Sequence, residues 1–516
     1  MHSRLQSNLP RQICRSRFVP SLALCGLLAS GSAVSADWKS TASISAYGTL
    51  TDNVDFSPVG RRTDFITSIT PTIATRLDGS RLKVQAQYSP TLNKYAVADE
   101  HDYVAQTLNA SASLEAVEKF FYVDGTAQIA QTYISPFAPQ PLNTTSATAN
   151  RTQTTSLGLS PYIRSTTPSG VTYLLRDDNY YTSTNTSAIS DSYLNQLTAK
   201  IDGPASRLLW GGDYNYTYTK FDSSQAFRSQ LGRLRLGHAP TPDFTVTASG
   251  GYERNNYGVL GDERGAIYGA GFTWTPTPRT NLYANLEHRF FGPSYALGFD
   301  HRTRMTAWNI QGSRNIQSYP QQLLTLPSGN TRAAVDAIFQ ARITDPVERQ
   351  QSVDAFIRQA GLPPVLVSPL TYYSNQIYLY EYISGSFAII GARNTLTFGV
   401  FWNRSKPITG GGQTLPDTFL LVNQLNTVGG SVTLSHKLSA LTSVAASAVR
   451  SIGRSPETSA TSASIKSTQD TFLLTLSHNF SPKTYGSIGL RYQTFDSTGS
   501  SDIAEHAALA GLTHIF

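Results

Sequence analysis

The residues with the most chemistry to offer in this chain are charged: Asp213, Arg233, Arg235, Glu253, Glu287, Arg289 and Arg491. Each lies in a segment where apolar and polar residues alternate, on the polar parity, and so on the same side of a strand as neighbouring Asn, Thr and Ser. Acids and bases interleaved on one surface suit a wet interior that passes a polar, weakly charged solute, because mixed signs prevent strong selection of either ion. Reading 220–226 as a hairpin link puts Asp213 opposite Arg233 as a cross-strand charge pair. The plainer expectation is that these groups only pack a water-filled interior.

Catalytic chemistry is poorly supported. No nucleophile elbow, phosphate loop, zinc-protease helix or paired-cysteine motif occurs. Gly410-Gly411-Gly412-Gln413-Thr414 lacks the lysine of a phosphate loop and reads as a flexible tip. Asp99, His101 and Asp102 form the one local acid–histidine cluster, in a link where a solvated loop is the simpler reading. We expect no enzyme, cofactor or metal site. Tyr214, Tyr216 and Tyr218 resemble a sugar-stacking ladder, but they share a parity with Leu208 and Trp210, which favours an interfacial girdle.

The elements that must position these groups are strands. In 208–219, one parity carries Leu208, Trp210, Tyr214, Tyr216 and Tyr218 while the other carries Asp213, Asn215, Thr217 and Thr219. The pattern recurs at 244–253 and 487–493, and the chain closes on Leu512-Thr513-His514-Ile515-Phe516. An apolar parity that ends on a bare aromatic residue suits a strand against lipid, and Leu512, His514 and Phe516 are read as the barrel-assembly signal. Similar Leu-x-His phrases end at His238, His436 and His478. These histidines are expected as outward girdle residues rather than ligands.

Composition agrees. The first 36 residues hold Arg4, Arg11, Arg15 and Arg17 and no acid, then an apolar core from Phe18 to Ala29, then Val34-Ser35-Ala36. That is the order of a cleaved Sec signal peptide. A lipoprotein site at Cys25 would need a small residue where Leu24 stands. The signal also holds both cysteines, Cys14 and Cys25, and four of the 41 basic residues, so the remainder is nearly neutral against 34 acids. The positive charge therefore argues for no nucleic-acid partner. No apolar run after the signal approaches the ~18 to 20 residues of a spanning helix, so only a barrel could span a membrane. A secreted solenoid or sandwich remains the composition-level alternative.

Short links rich in turn residues (78–80, 167–170, 202–204, 240–242, 276–278, 391–394, 481–483) alternate with longer polar ones (52–63, 96–102, 135–151, 183–191, 405–425, 453–467, 496–502). This predicts an all-β, transmembrane, antiparallel up-and-down barrel over 37–516, of about 22 strands (roughly 18 to 24), both termini on the short-turn, periplasmic side. Residues 331–361 break the pattern with two helical stripes, Asp345 as N-cap, Pro346, Glu348, then Gly361 and Pro363. They are expected as a two-helix insert on the outer side, a lid or plug.

Several phrases resemble the outer-membrane barrel family associated with PEP-CTERM/exosortase systems. They are Tyr47-x-x-x-Thr51-Asp52-Asn53-Val54, Asp64 to Pro71, Gly79-x-Arg81, Tyr88, Arg289 to Tyr295, His301 to Arg304, Asp345-Pro346-x-x-Arg349 and Gly391 to Leu396. In order they cover most of the chain. The resemblance implies a porin-like or export role beside exopolysaccharide production, and it carries no catalytic residues. His514 departs from the aromatic residue usual at that place. The expected partners are outer-membrane lipid, the barrel-assembly machinery and a polysaccharide or other polar solute. A surface scaffold or adhesin with a blocked lumen is the alternative, and an outer-membrane hydrolase a third.

Overall fold

The computed structural model describes residues 37–516 except 136, 142, 187–189, 205, 223–225, 259–260, 319–320, 322–352, 354–375, 409–423, 456–463 and 499–501. The signal segment 1–36 and the helical insert 331–361 therefore lie outside the described residues, apart from Val353, which is fully buried.

The strand segments, in chain order, are β1 (Asp37–Thr51), β2 (Asp64–Asp78), β3 (Leu82–Tyr88), β4 (Thr91–Tyr95), β5 (Tyr103–Ala105), β6 (Leu108–Val117), β7 (Phe121–Tyr133) and β8 (Arg151–Thr166). Then come β9 (Thr172–Thr184), β10 (Ser192–Asp202), β11 (Leu208–Phe221), β12 (Phe227–Thr241), β13 (Phe244–Gly258), β14 (Gly261–Thr277), β15 (Thr280–Arg289) and β16 (Gly292–Arg302). The last are β17 (Thr306–Ser318), β18 (Ile377–Ile390), β19 (Asn394–Pro407), β20 (Leu425–Lys437), β21 (Thr442–Ser455), β22 (Ile465–Ser481), β23 (Thr484–Ser497) and β24 (Ile503–Ile515).

All pairings are antiparallel, and β24 returns to β1 from Ser43↔Ile515 to Thr51↔Ala507, which closes the ring. β3 and β4 both pair with β2, and β4 and β5 pair with each other beside β3 and β6. Each of these two pairs of segments is one strand interrupted, so the ring has 22 strands. The first interruption falls at Ser89-Pro90, where proline has no N–H for the ladder. Ser89 N–H instead donates to Thr107 O at 2.8 Å, across the second interruption.

Alternation decides the two faces. Leu234 (71% exposed), Leu286 (64%) and Ile488 (58%) stand outward, while Ser, Thr, Asn and charged residues of the opposite parity stand inward. Closure pairs the backbone groups that an open sheet would leave unpaired at its edges, the condition for a β structure to cross lipid. Among the described residues no helix is long and apolar enough to cross a membrane.

The closing seam has a specific lock. Tyr47 and Gly511 are directly opposite, and a Cβ at Gly511 would collide with the Tyr47 ring lying over it. An aromatic ring over a cross-strand glycine pins register. Gly511→Val is therefore expected to lower the folded fraction, read as loss of the heat-modifiable band in semi-native electrophoresis. Adding Tyr47→Ala should recover it.

Candidate functional site: the barrel interior

The sequence-expected interior charges occupy the inward parity but form three groups. The largest spans β10 to β15. Lys200 Nζ lies 3.2 Å from Asp202, Arg235 lies 2.9 Å from Asp202 and 3.1 Å from Asp213, and Arg233 lies 3.1 Å from Asp213 and 2.5 Å from Glu287. Ser249 Oγ donates to Glu287 at 3.0 Å. Asp213 is directly opposite Arg233, the register implied by a hairpin through 220–226.

Arg233 reaches Glu287 across two intervening strands, and glycine makes the route. Gly251 faces Arg233 and Gly269 faces Glu287, and a Cβ at either would meet the neighbouring backbone within 2.9 Å. The ladder borders a polar recess of about 530 Å³ whose lining includes Asn215, Arg233, Arg235, Glu287 and Arg289.

Glu253 and Arg289 make a second group near the long-link end. The pair is 2.5 Å apart, with side chains only 1% and 10% exposed. Phe290 N–H donates to Glu253 at 2.9 Å, and Arg289 donates to Asn315 at 2.7 Å. Beside it Phe221, Phe227, Tyr257 and Ile377 form an apolar cluster at the strand ends.

Arg491 belongs to a third group on β23 and β24, 3.0 Å from Glu505 and almost fully buried with it. The burial comes from an outer link whose sequence marks it only as a long polar connection. The described residues of 134–150, between β7 and β8, turn into the barrel and reach the wall on the far side of the seam. Ser146 Oγ donates to Glu505 at 3.2 Å, and Gln469 Nε2 donates to Gln140 O at 2.6 Å. Gln493 Nε2 donates to Ser146 Oγ at 3.1 Å, while Thr51 Oγ1 donates to Glu505 at 2.6 Å. Near its own root the link is held by Tyr95 OH to Thr145 O at 2.9 Å, by Tyr103 OH to Thr144 O, and by Arg151 to the 143, 144 and 146 carbonyls.

Two further outer links fold over the same half. Val54 and Ala98 pack on inward Ile66 and Tyr95, and Phe56 packs on Phe495 and Ile503. They are latched to each other by Arg62, which bonds Asp55 at 2.7 and 2.8 Å and Glu100 at 2.6 Å, with His101 Nε2 2.7 Å from Asp55. The sequence cluster Asp99, His101 and Asp102 does not converge on one point. Asp102 turns back to Lys94 and to Tyr95 N–H on the adjoining strand, and His101 turns to Asp55 of the other link.

The Arg62 hydrogen bond, with help from His101, holds the Asp55 carboxyl below the usual carboxylate range against the opposing effect of burial. A depressed folded pKa stabilises the latch above the unfolded value and is lost as pH falls through the lowered one. Proteolysis of 52–63 is thus expected to stay slow from neutral pH down to about pH 4 and to quicken below it. Asp55→Asn should make it fast throughout.

The Leu-x-His residues face outward at the short-turn end. His478 Nδ1 lies 2.8 Å from Thr442 Oγ1, His514 2.9 Å from Thr484 Oγ1, and His436 2.7 Å from Asn394 Oδ1. His301 repeats the pairing at 2.9 Å from Thr280. Phe480 and Phe516 meet His478 and His514 edge-on at 4.9 and 5.0 Å. Leu512 stands outward beside them, 49% exposed.

No protein-family model matches the chain, and no curated protein matches it. Solved structures similar to it include the siderophore receptor PirA from Pseudomonas aeruginosa, 10% identical over 93% of this chain and 80% of that one, TM-score 0.44. The FrpB iron transporter from Neisseria meningitidis is 8% identical over 92% and 82%, TM-score 0.48. OpdK from Pseudomonas aeruginosa, solved with vanillate, is 8% identical over 93% and 99%, TM-score 0.35. The closed ring of strand pairs, not these distant likenesses, establishes the barrel.

Proposed function

We propose that this chain is an outer-membrane, porin-like channel for a polar, weakly charged solute. The observation that carries the reading is the inward ladder Lys200, Asp202, Arg235, Asp213, Arg233 and Glu287, in which every charge has an opposite neighbour. Such a surface keeps water and hydroxyl-rich solutes while giving neither ion a continuous path. The family resemblance of the sequence supports a glycan as the solute, in an exosortase-linked export system. The outward His and Phe residues at the strand ends support Leu512, His514 and Phe516 as the signal read by the barrel-assembly machinery.

Purified chain in planar bilayers is expected to give discrete conductance steps with weak ion selectivity. Replacing Arg233 and Arg235 with glutamate should shift the reversal potential toward cation selectivity. A bilayer silent both with this chain and with one lacking 331–361, the segment read as a lid, would sink the channel. A surface scaffold with a blocked lumen is favoured by the links folded over the mouth. It predicts that loop deletions abolish surface binding and leave permeability unchanged.

A further inference from the structure

The outer wall carries a cationic patch at one place on its long-link side. Phe398, Val432, Ala448 and Phe472 form one row of outward residues across β19 to β22. On the same outward parity above that row stand Arg404 and Lys406 on β19, Arg450 and Arg454 on β21, and Lys466 on β22. The outward acids beside them are Glu381, 3.8 Å from Arg404, and Asp470, 3.5 Å from Arg450, with Asp496 across from Thr468 and paired with no cation among the described residues. Arg454 and Lys466 are directly opposite each other, both exposed, and neither makes an ion pair among the described residues. Like charges in that register repel. Water only screens the repulsion, whereas an anion lying between the two reverses it.

A second, independent feature lies below the cations. Ala446 and Ala448 stand between Val432 and Leu434 on one side and Phe472 and Leu474 on the other, and help to leave an apolar hollow of about 820 Å³ in the outer wall. Height relates the two features. Along β22, Asp470 lies two residues above Phe472 and Lys466 six, and Arg450 and Arg454 share their levels on β21. At ~3.3 Å per residue and a strand tilt of ~40°, these levels are roughly 5 and 15 Å above the apolar row. A single phosphate reaches one level of that band, and a phosphorylated saccharide reaches both.

We propose that the outer face of β19–β24 is a binding site for a phosphorylated glycolipid of the leaflet on the long-link side. Its acyl chains lie in the hollow, and its anionic saccharide headgroup spans Arg450, Arg454 and Lys466, with Arg404 and Lys406 at the flank. Charge complementarity and vertical order together select this occupant. A soluble anion has no use for the hollow, and a lipid without phosphate has none for the cations. The site is on the outside of the ring, so it is independent of what the lumen passes.

Native mass spectrometry of the folded chain in mild detergent, titrated with bis-phosphorylated lipid A and with the same lipid stripped of phosphate, tests the site. The phosphorylated lipid is expected to form a discrete complex, weakened roughly tenfold or more by Arg454→Gln/Lys466→Gln and largely kept by Arg454→Lys, which preserves the charge. Ala448→Phe, which fills the hollow, should weaken the complex although every cation remains. Arg207→Gln/Arg279→Gln, at the exposed short-turn end, should leave it unchanged. All these positions are outside the interior packing, and the heat-modifiable folded band verifies each variant. Equal binding of the phosphate-free lipid overturns the proposal, as does complete displacement of the lipid by inorganic phosphate. So does an affinity unchanged by Arg454→Gln/Lys466→Gln or by Ala448→Phe.

Discussion

Replacing residues 137–148 with a short glycine–serine link is expected to raise single-channel conductance several-fold. These residues carry the inward link from the β7–β8 side to Glu505, Gln493 and Gln469 on the opposite side of the seam, so they occupy cross-section that solute would otherwise use. The substitution should spare the barrel, because its pairing runs strand to strand and does not pass through this link. Arg491 and Glu505, 3.0 Å apart, are expected to keep each other as partners when Ser146 is removed. Conductance unchanged in planar bilayers, with the folded band intact, would show that the narrowest point lies elsewhere and refute the link as the constriction.

The second large effect concerns stability. Glu253 is 1% exposed and pairs with Arg289 at 2.5 Å, so Arg289→Ala strands a buried carboxylate and is expected to cost about 3–5 kcal/mol. Urea unfolding in lipid vesicles, followed by tryptophan fluorescence, measures it. Glu253→Gln with Arg289→Met should recover most of the loss, because it removes both charges and keeps approximate volume. A loss below about 1 kcal/mol for Arg289→Ala would place the pair among exposed ion pairs.

Parts of this interior are legible in sequence and parts are not. Asp213 and Arg233 can be paired from the chain, because a hairpin sets register locally. The Arg233–Glu287 contact cannot, since it needs the inward glycines at 251 and 269 on two strands between them. Gly251 and Gly269 are the signal that was available: inward glycines beside charges mark where long side chains cross. Asp99, His101 and Asp102 show the opposite failure, a catalytic composition in which Asp102 is drawn to Lys94 and Tyr95 on the adjoining strand and His101 to Asp55 on the neighbouring link.

The sequence by itself determined the strands, their parity and the alternation of short and long links, because a period of two and the chemistry of turns are properties of neighbours along the chain. It therefore sufficed for an even-numbered barrel with polar residues inside and its Leu-x-His histidines facing outward at the short-turn end. Only the tertiary structure decided that the 134–150 link turns inward to Glu505, Gln493 and Gln469, and that the interior charges divide into three groups. The first depends on which strands closure of the whole ring brings within reach of that link, and the second on which inward side chains are small enough to be crossed, and no local segment records either.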